Sequence, residues 1–159
     1  MTSTGISDDD IAALIARWSQ AAQLYLDGDL RGYAAIARHA DDYTLWAPNG
    51  GDARTSFDGS DEAVAWTARM FRGGQAELEV VSTYRSGDLA VLVAVERQSG
   101  TFGDLPPQHW SMRLTLVFRR EASGWRLVHR HADPLVETLK DEVFVAIARG
   151  DHAAAGPGS

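Results

Sequence analysis

The sequence predicts an α+β fold: three N-terminal helices packed on a strongly curved antiparallel sheet. Apolar residues recur at helical spacing through the first part of the chain and switch to period-two alternation from about Ala76 onward. Helices first and hairpins later is the order that lays helices across one sheet face. The length of 159 residues with 45% hydrophobic content is also enough for one core without disulfides or structural metal.

Ser7 before Asp8-Asp9-Asp10 reads as an N-cap followed by an acidic first turn, which suits the positive end of a helix dipole. Ile11, Leu14, Ile15, Trp18, Ala21, Ala22, Tyr25 and Leu26 then mark a helix over about 9–27, ended by Gly28. Asp29 caps a second helix near 30–38, and His39–Asp42 leads into a short strand, Tyr43–Ala47, broken by Pro48-Asn49-Gly50-Gly51. Ser60 or Asp61 caps a third helix bearing Val64, Trp66, Met70 and Phe71, which Gly73-Gly74 is expected to terminate. Four strands follow: about 76–84, an apolar run over 89–96, a long strand over 108–120 and a last one over 125–131, with turns at Ser86-Gly87-Asp88 and Ala122-Ser123-Gly124. Asp133-Pro134 is expected to end the sheet, and Leu135, Leu139, Val143, Phe144 and Ile147 predict a C-terminal helix within 135–148. Residues 1–7 and 149–159 read as flexible tails around one domain over 8–148.

Composition narrows the function. With 15 Lys+Arg against 22 Asp+Glu the net charge is −7, and no basic block argues for nucleic acid or an anionic membrane as partner. The absence of cysteine excludes thiolate nucleophiles and Cys-ligated metals. The start, MTSTGISDDD, has neither the basic nor the apolar region of a secretory signal, so a cytoplasmic location is expected. No phosphate-loop spacing and no Gly-x-Ser-x-Gly elbow are present. No cofactor is expected.

Three stretches carry a family resemblance: Leu26-Asp27-Gly28-Asp29-Leu30; Ala40-Asp41-Asp42-Tyr43-Thr44-Leu45-Trp46-Ala47-Pro48; and Arg113–Arg120 followed by Gly124-Trp125-Arg126-Leu127-Val128-His129-Arg130-His131. In this order and spacing they resemble the nuclear transport factor 2-like superfamily, over about residues 9–133. That group includes ketosteroid isomerases, SnoaL-type polyketide cyclases, scytalone dehydratase and the association domain of calcium/calmodulin-dependent kinase II. The resemblance implies a cone-shaped, cystatin-like fold with a ligand cavity between helices and sheet, and pairing of two copies through the sheet. It leaves the chemistry open, because the fold hosts both catalysts and assembly hubs. The isomerase set of an Asp base with Tyr and protonated Asp donors falls here near Ala21, Ala47 and Leu116, which cannot transfer protons. Isomerase activity by that route is therefore not expected.

Candidate chemistry falls to other residues. His129 and His131 share strand parity with Trp125 and Leu127, with Arg126, Val128 and Arg130 on the other face. Two imidazoles about 7 Å apart can act as acid and base, share a metal if a third ligand (His109 or Asp133) comes close, or simply hydrogen-bond within the sheet. No metal site is assigned. Arg113 stands with His109, Ser111, Thr115 and Val117 on one face of its strand. It either binds an oxyanion in the cavity, as an Arg-x-Thr strand in this superfamily implies, or pairs with Glu96 or Glu79. Asp133 can orient an imidazole or mark the strand end, and Asp41 or Asp42 can supply a base or sit in a turn. Trp18, Tyr43, Trp46, Met70, Trp110 and Thr115 are the remaining candidates for the pocket wall. The expectation is a pocket for a small apolar or polyketide-like molecule. Its reaction would be cofactor-free proton abstraction beside a carbonyl (dehydration, isomerisation or cyclisation), with His129 or His131 as acid/base and Arg113 as oxyanion donor. The alternative is a non-catalytic ligand-binding or assembly module, and a homodimer through the sheet is expected under either.

Overall fold

A computed structural model describes residues 5–150. The ends expected to be flexible lie outside the described residues at 1–4 and 151–159. The elements run α1 (Asp8–Leu26), α2 (Leu30–Ala37), β1 (His39–Trp46), α3 (Asp61–Met70), β2 (Phe71–Ser86), β3 (Leu89–Phe102), β4 (Gln108–Glu121), β5 (Gly124–Pro134) and α4 (Asp141–Ala148). The strands form one sheet in the order β1-β5-β4-β3-β2.

The helix starts follow the sequence signals. Ser7 and Asp10 form a reciprocal capping box on α1, Asp29 accepts from Gly32 N–H at 2.8 Å, and Ser60 accepts from Ala63 N–H at 3.2 Å. Arg17 of α1 donates to the carbonyls of Ile36 (2.5 Å), Ala37 (2.9 Å) and Trp125 (3.0 Å), tying the end of α2 to β5. Gln23 donates to Gly74 O and accepts from Ala76 N–H, which seats the other end of α1 on β2. The helix-facing side of the sheet is the core: Leu92, Leu114, Leu116, Phe118 and Leu127 are buried against Leu14, Trp18 and Tyr33.

Three expectations need correction. The sheet is mixed, since β1 runs parallel to β5 while the other pairings are antiparallel. Gly73-Gly74 does not end α3. The helix stops at Met70 because Phe71 turns extended and buries its ring against Tyr25 and Phe102. The glycines lie within β2 opposite Gly100, where a Cβ on Gly74 would come within 1.9 Å of Ser99 O and one on Gly100 within 2.3 Å of Gly73 O. Only glycine tolerates that approach. Finally, β5 runs past His131 before it ends at Pro134, the Asp133-Pro134 stop the sequence predicts, with the Leu135 N–H bonded to Ser111 O at 2.9 Å, and the helix begins only at Asp141.

Candidate functional site

The decisive local feature is a β-bulge. Val117 pairs with His129 but Phe118 pairs with Leu127, so Val128 is the extra residue. Strict alternation would put Trp125, Leu127, His129 and His131 on one face. The bulge reverses parity midway. Leu127 faces the core, whereas His129 and His131 face away from the helices and Arg130 points in beneath α1.

The proposed pocket residues are thereby divided between two faces. Trp18 and Tyr43 are each 2% exposed on the helix side, and Trp110 packs there against the core. Met70 ends α3, beside Gly103. Trp46, 46% exposed, lies against His131 on the outer face, with ring centroids 6.5 Å apart. Arg113, Thr115, His131 and Asp133 line an outer concavity of about 340 Å³ floored by Val81, Val93 and Val95. His129 stands nearby, its Nδ1 hydrogen-bonded to Thr44 Oγ1 at 2.7 Å. Arg113 makes a two-pronged ion pair with Asp133 at 2.7 and 2.9 Å. It pairs with neither Glu96, which faces the helices, nor Glu79, which holds Arg97. Among the described residues no group of three His, Asp or Glu side chains is placed to hold a metal.

The helix side gathers polar groups that sequence reasoning passed over. Glu96, 2% exposed, accepts from Trp18 Nε1–H at 2.7 Å and from Gln98 Nε2–H at 2.5 Å. Tyr33 Oη lies 3.3 Å from His39 Nε2. The His39 ring stacks on Phe57 at 4.0 Å and meets the edge of Tyr43 at 4.5 Å. The Arg130 guanidinium sits over the Trp18 ring at 5.7 Å. Phe57 also lines a surface concavity of about 220 Å³ with Leu30, Arg31, Ala34, Gly59 and Val64.

Electrostatics in this cone follow from burial. Desolvation pushes His39 down to about 4, with the positive charges of Arg130 and Arg17 adding to the effect. Desolvation also raises Tyr25 and Tyr33 and pushes Tyr43 up to about 12, against the opposing field of Arg130. The imidazole and the phenols are therefore neutral near pH 7. On the outer face, burial and the His131 charge lower His129, partly offset by Thr44.

A pH dependence of folding follows. His39 falls from its ordinary 6.5 to about 4 on folding, so the unfolded chain binds more protons between those values. His39's contribution to stability is complete above about pH 6.5, declines as pH falls, and is spent below about pH 4; the total is on the order of 3 kcal/mol. Urea unfolding between pH 4 and 7 is expected to show this decline, and His39→Phe is expected to flatten most of it.

A candidate dehydratase of the NTF2-like family from Streptomyces avermitilis superposes with a TM-score of 0.65 and 18% identity, covering 82% of this chain and 99% of that one. A candidate scytalone dehydratase from Novosphingobium aromaticivorans gives 0.64 at 14% identity over 83% and 90% of the two chains. The CaMKII hub of S. rosetta gives 0.57 at 18% identity over 77% and 95%. At such identities the likeness speaks for the fold alone. No curated protein matches the chain. The SnoaL-like domain family matches residues 11–137, a span from the first core residue of α1 to just beyond β5, and the chain belongs to that family.

Proposed function

We propose that the cone between helices and sheet receives a small, largely apolar, oxygenated molecule and moves a proton beside its carbonyl without a cofactor. The observation that carries this reading is the neutral pair of half-buried His39 and buried Tyr33 inside an aromatic wall that also holds a guanidinium. An uncharged imidazole can accept the proton as the Cα–H bond breaks. The released electron pair moves to the carbonyl oxygen, where Arg130 and a protonated tyrosine stabilise it. His39 and Arg130 thus take the roles that sequence pattern offered to His129, His131 and Arg113. Dehydration, isomerisation and cyclisation all start from this step, and two of the structural neighbours are named as candidate dehydratases. The test is deuterium uptake from solvent at the α-carbon of small aromatic ketones, followed by proton NMR. Saturable, protein-dependent exchange supports the reading; exchange no faster than buffer across the panel contradicts it.

A second observation favours an assembly role for the opposite face. Val81 is 63% exposed, and Val93 and Val95 remain half-buried around the outer concavity. Such a surface is normally covered. We assign it to pairing of two copies, an arrangement that leaves the cone free. Light scattering is expected to give twice the chain mass, and Val93→Arg is expected to give monomers with an unchanged far-ultraviolet spectrum. A wild-type monomer at micromolar concentration contradicts this assignment.

A further inference from the structure

We infer that the ligand of the cone carries a carboxylate, or an equivalent planar anion, which binds Arg130. This rests on the reading of the cone as a ligand site and adds the charge and shape of what enters it. The Arg130 side chain makes no hydrogen bond or ion pair with any described residue, and its Nε is buried without a partner. Arginines elsewhere on the sheet and on α1 have partners. Arg17 holds three carbonyls, and on the outer face Arg113 and Arg119 hold carboxylates. An unpaired buried donor on a cation is costly, so a site that keeps one is incomplete without an acceptor.

The surroundings define that acceptor. Glu96, the buried carboxyl of the cone, is engaged by Trp18 and Gln98 and does not pair with Arg130. Trp18 supports one face of the guanidinium, which leaves its edge free to donate. One edge of a guanidinium presents two parallel N–H groups, the match for two oxygens on one carbon, and the remaining N–H donors stay available to a carbonyl oxygen of the same ligand. Tyr33 and Tyr43 supply flat apolar walls and are themselves buried. A small aromatic or alicyclic carboxylate meets all of these conditions, whereas phosphate or a sugar does not use the walls.

Benzoate and its neutral isostere benzamide are the probes, titrated by calorimetry into the full chain. Benzoate is expected to bind at least about tenfold more tightly than benzamide. Arg130→Gln is expected to erase that preference by weakening benzoate at least about tenfold more than benzamide. Arg130→Lys keeps the charge without the planar fork and is expected to fall between. Equal binding of acid and amide to the natural chain overturns the inference. So does an Arg130→Gln protein that folds and keeps the preference, or no benzoate binding at millimolar concentration. Should Arg130→Gln fail to fold, the acid-to-amide ratio and Arg130→Lys decide. Ketone exchange without any preference for benzoate overturns this inference alone. Benzoate preference without exchange leaves it standing and overturns the catalytic reading.

Discussion

Trp18→Ala is expected to remove about 4 kcal/mol or more of folding stability, close to the whole margin of many domains of this size. Three losses combine. The ring is 2% exposed and packs edge-on against Tyr33 at 6.1 Å, so its deletion leaves a large cavity. Its Nε1–H is one of the two donors to Glu96 seen here, and a buried carboxyl that loses a partner costs about 1–3 kcal/mol. It also supports the Arg130 guanidinium. Trp18→Phe separates these terms, since it keeps most of the volume and loses the N–H. Its expected cost is about 1–3 kcal/mol. Urea unfolding measures both. A loss under about 1 kcal/mol for Trp18→Ala would mean that the cone is not held as described.

His39→Phe is expected to lower proton exchange on aromatic ketones by at least about a hundredfold while the fold survives. Phenylalanine keeps the stacking on Phe57 and the edge contact with Tyr43 but cannot accept a proton. By contrast, His131→Phe on the outer face is expected to leave exchange unchanged. The reverse pattern would move the chemistry to the outer concavity. His39 deserves its place because burial keeps it uncharged, and an anion on Arg130 would cancel part of the positive field that now lowers it.

The layering of this fold was legible because its signals are local. Ser7 with Asp10, Asp29 and Ser60 announce three helix starts by side-chain chemistry alone. Period-two alternation then locates the hairpins. What was not legible depends on partners distant in sequence. The parallel pairing of β1 with β5 leaves no mark in either strand. The bulge at Val128 has no glycine to announce it, yet it moves His129 and His131 to one face and Arg130 to the other. His39 was hidden for a related reason. Arg38 adopts a left-handed conformation at φ 54, unusual for a residue with a side chain, and is held there by its bond to Ser123 O at 2.9 Å. The chain therefore enters β1 one residue after α2 rather than at Tyr43. Glu96 had a weak sign: the inward series Ala90, Leu92, Ala94 continues to it with unchanged parity. A charged residue ending a buried stripe is a candidate for a cone-facing group.

The Trp indole N–H signals report which face of the sheet holds the ligand, because Trp18 lies in the cone and Trp46 on the outer face. In a nitrogen–proton correlation spectrum of the labelled chain, titration with small aromatic ketones and carboxylates is expected to move the Trp18 signal and leave that of Trp46 in place. A ligand that moves Trp46 and leaves Trp18 unchanged would contradict the account and return the site to the outer sheet.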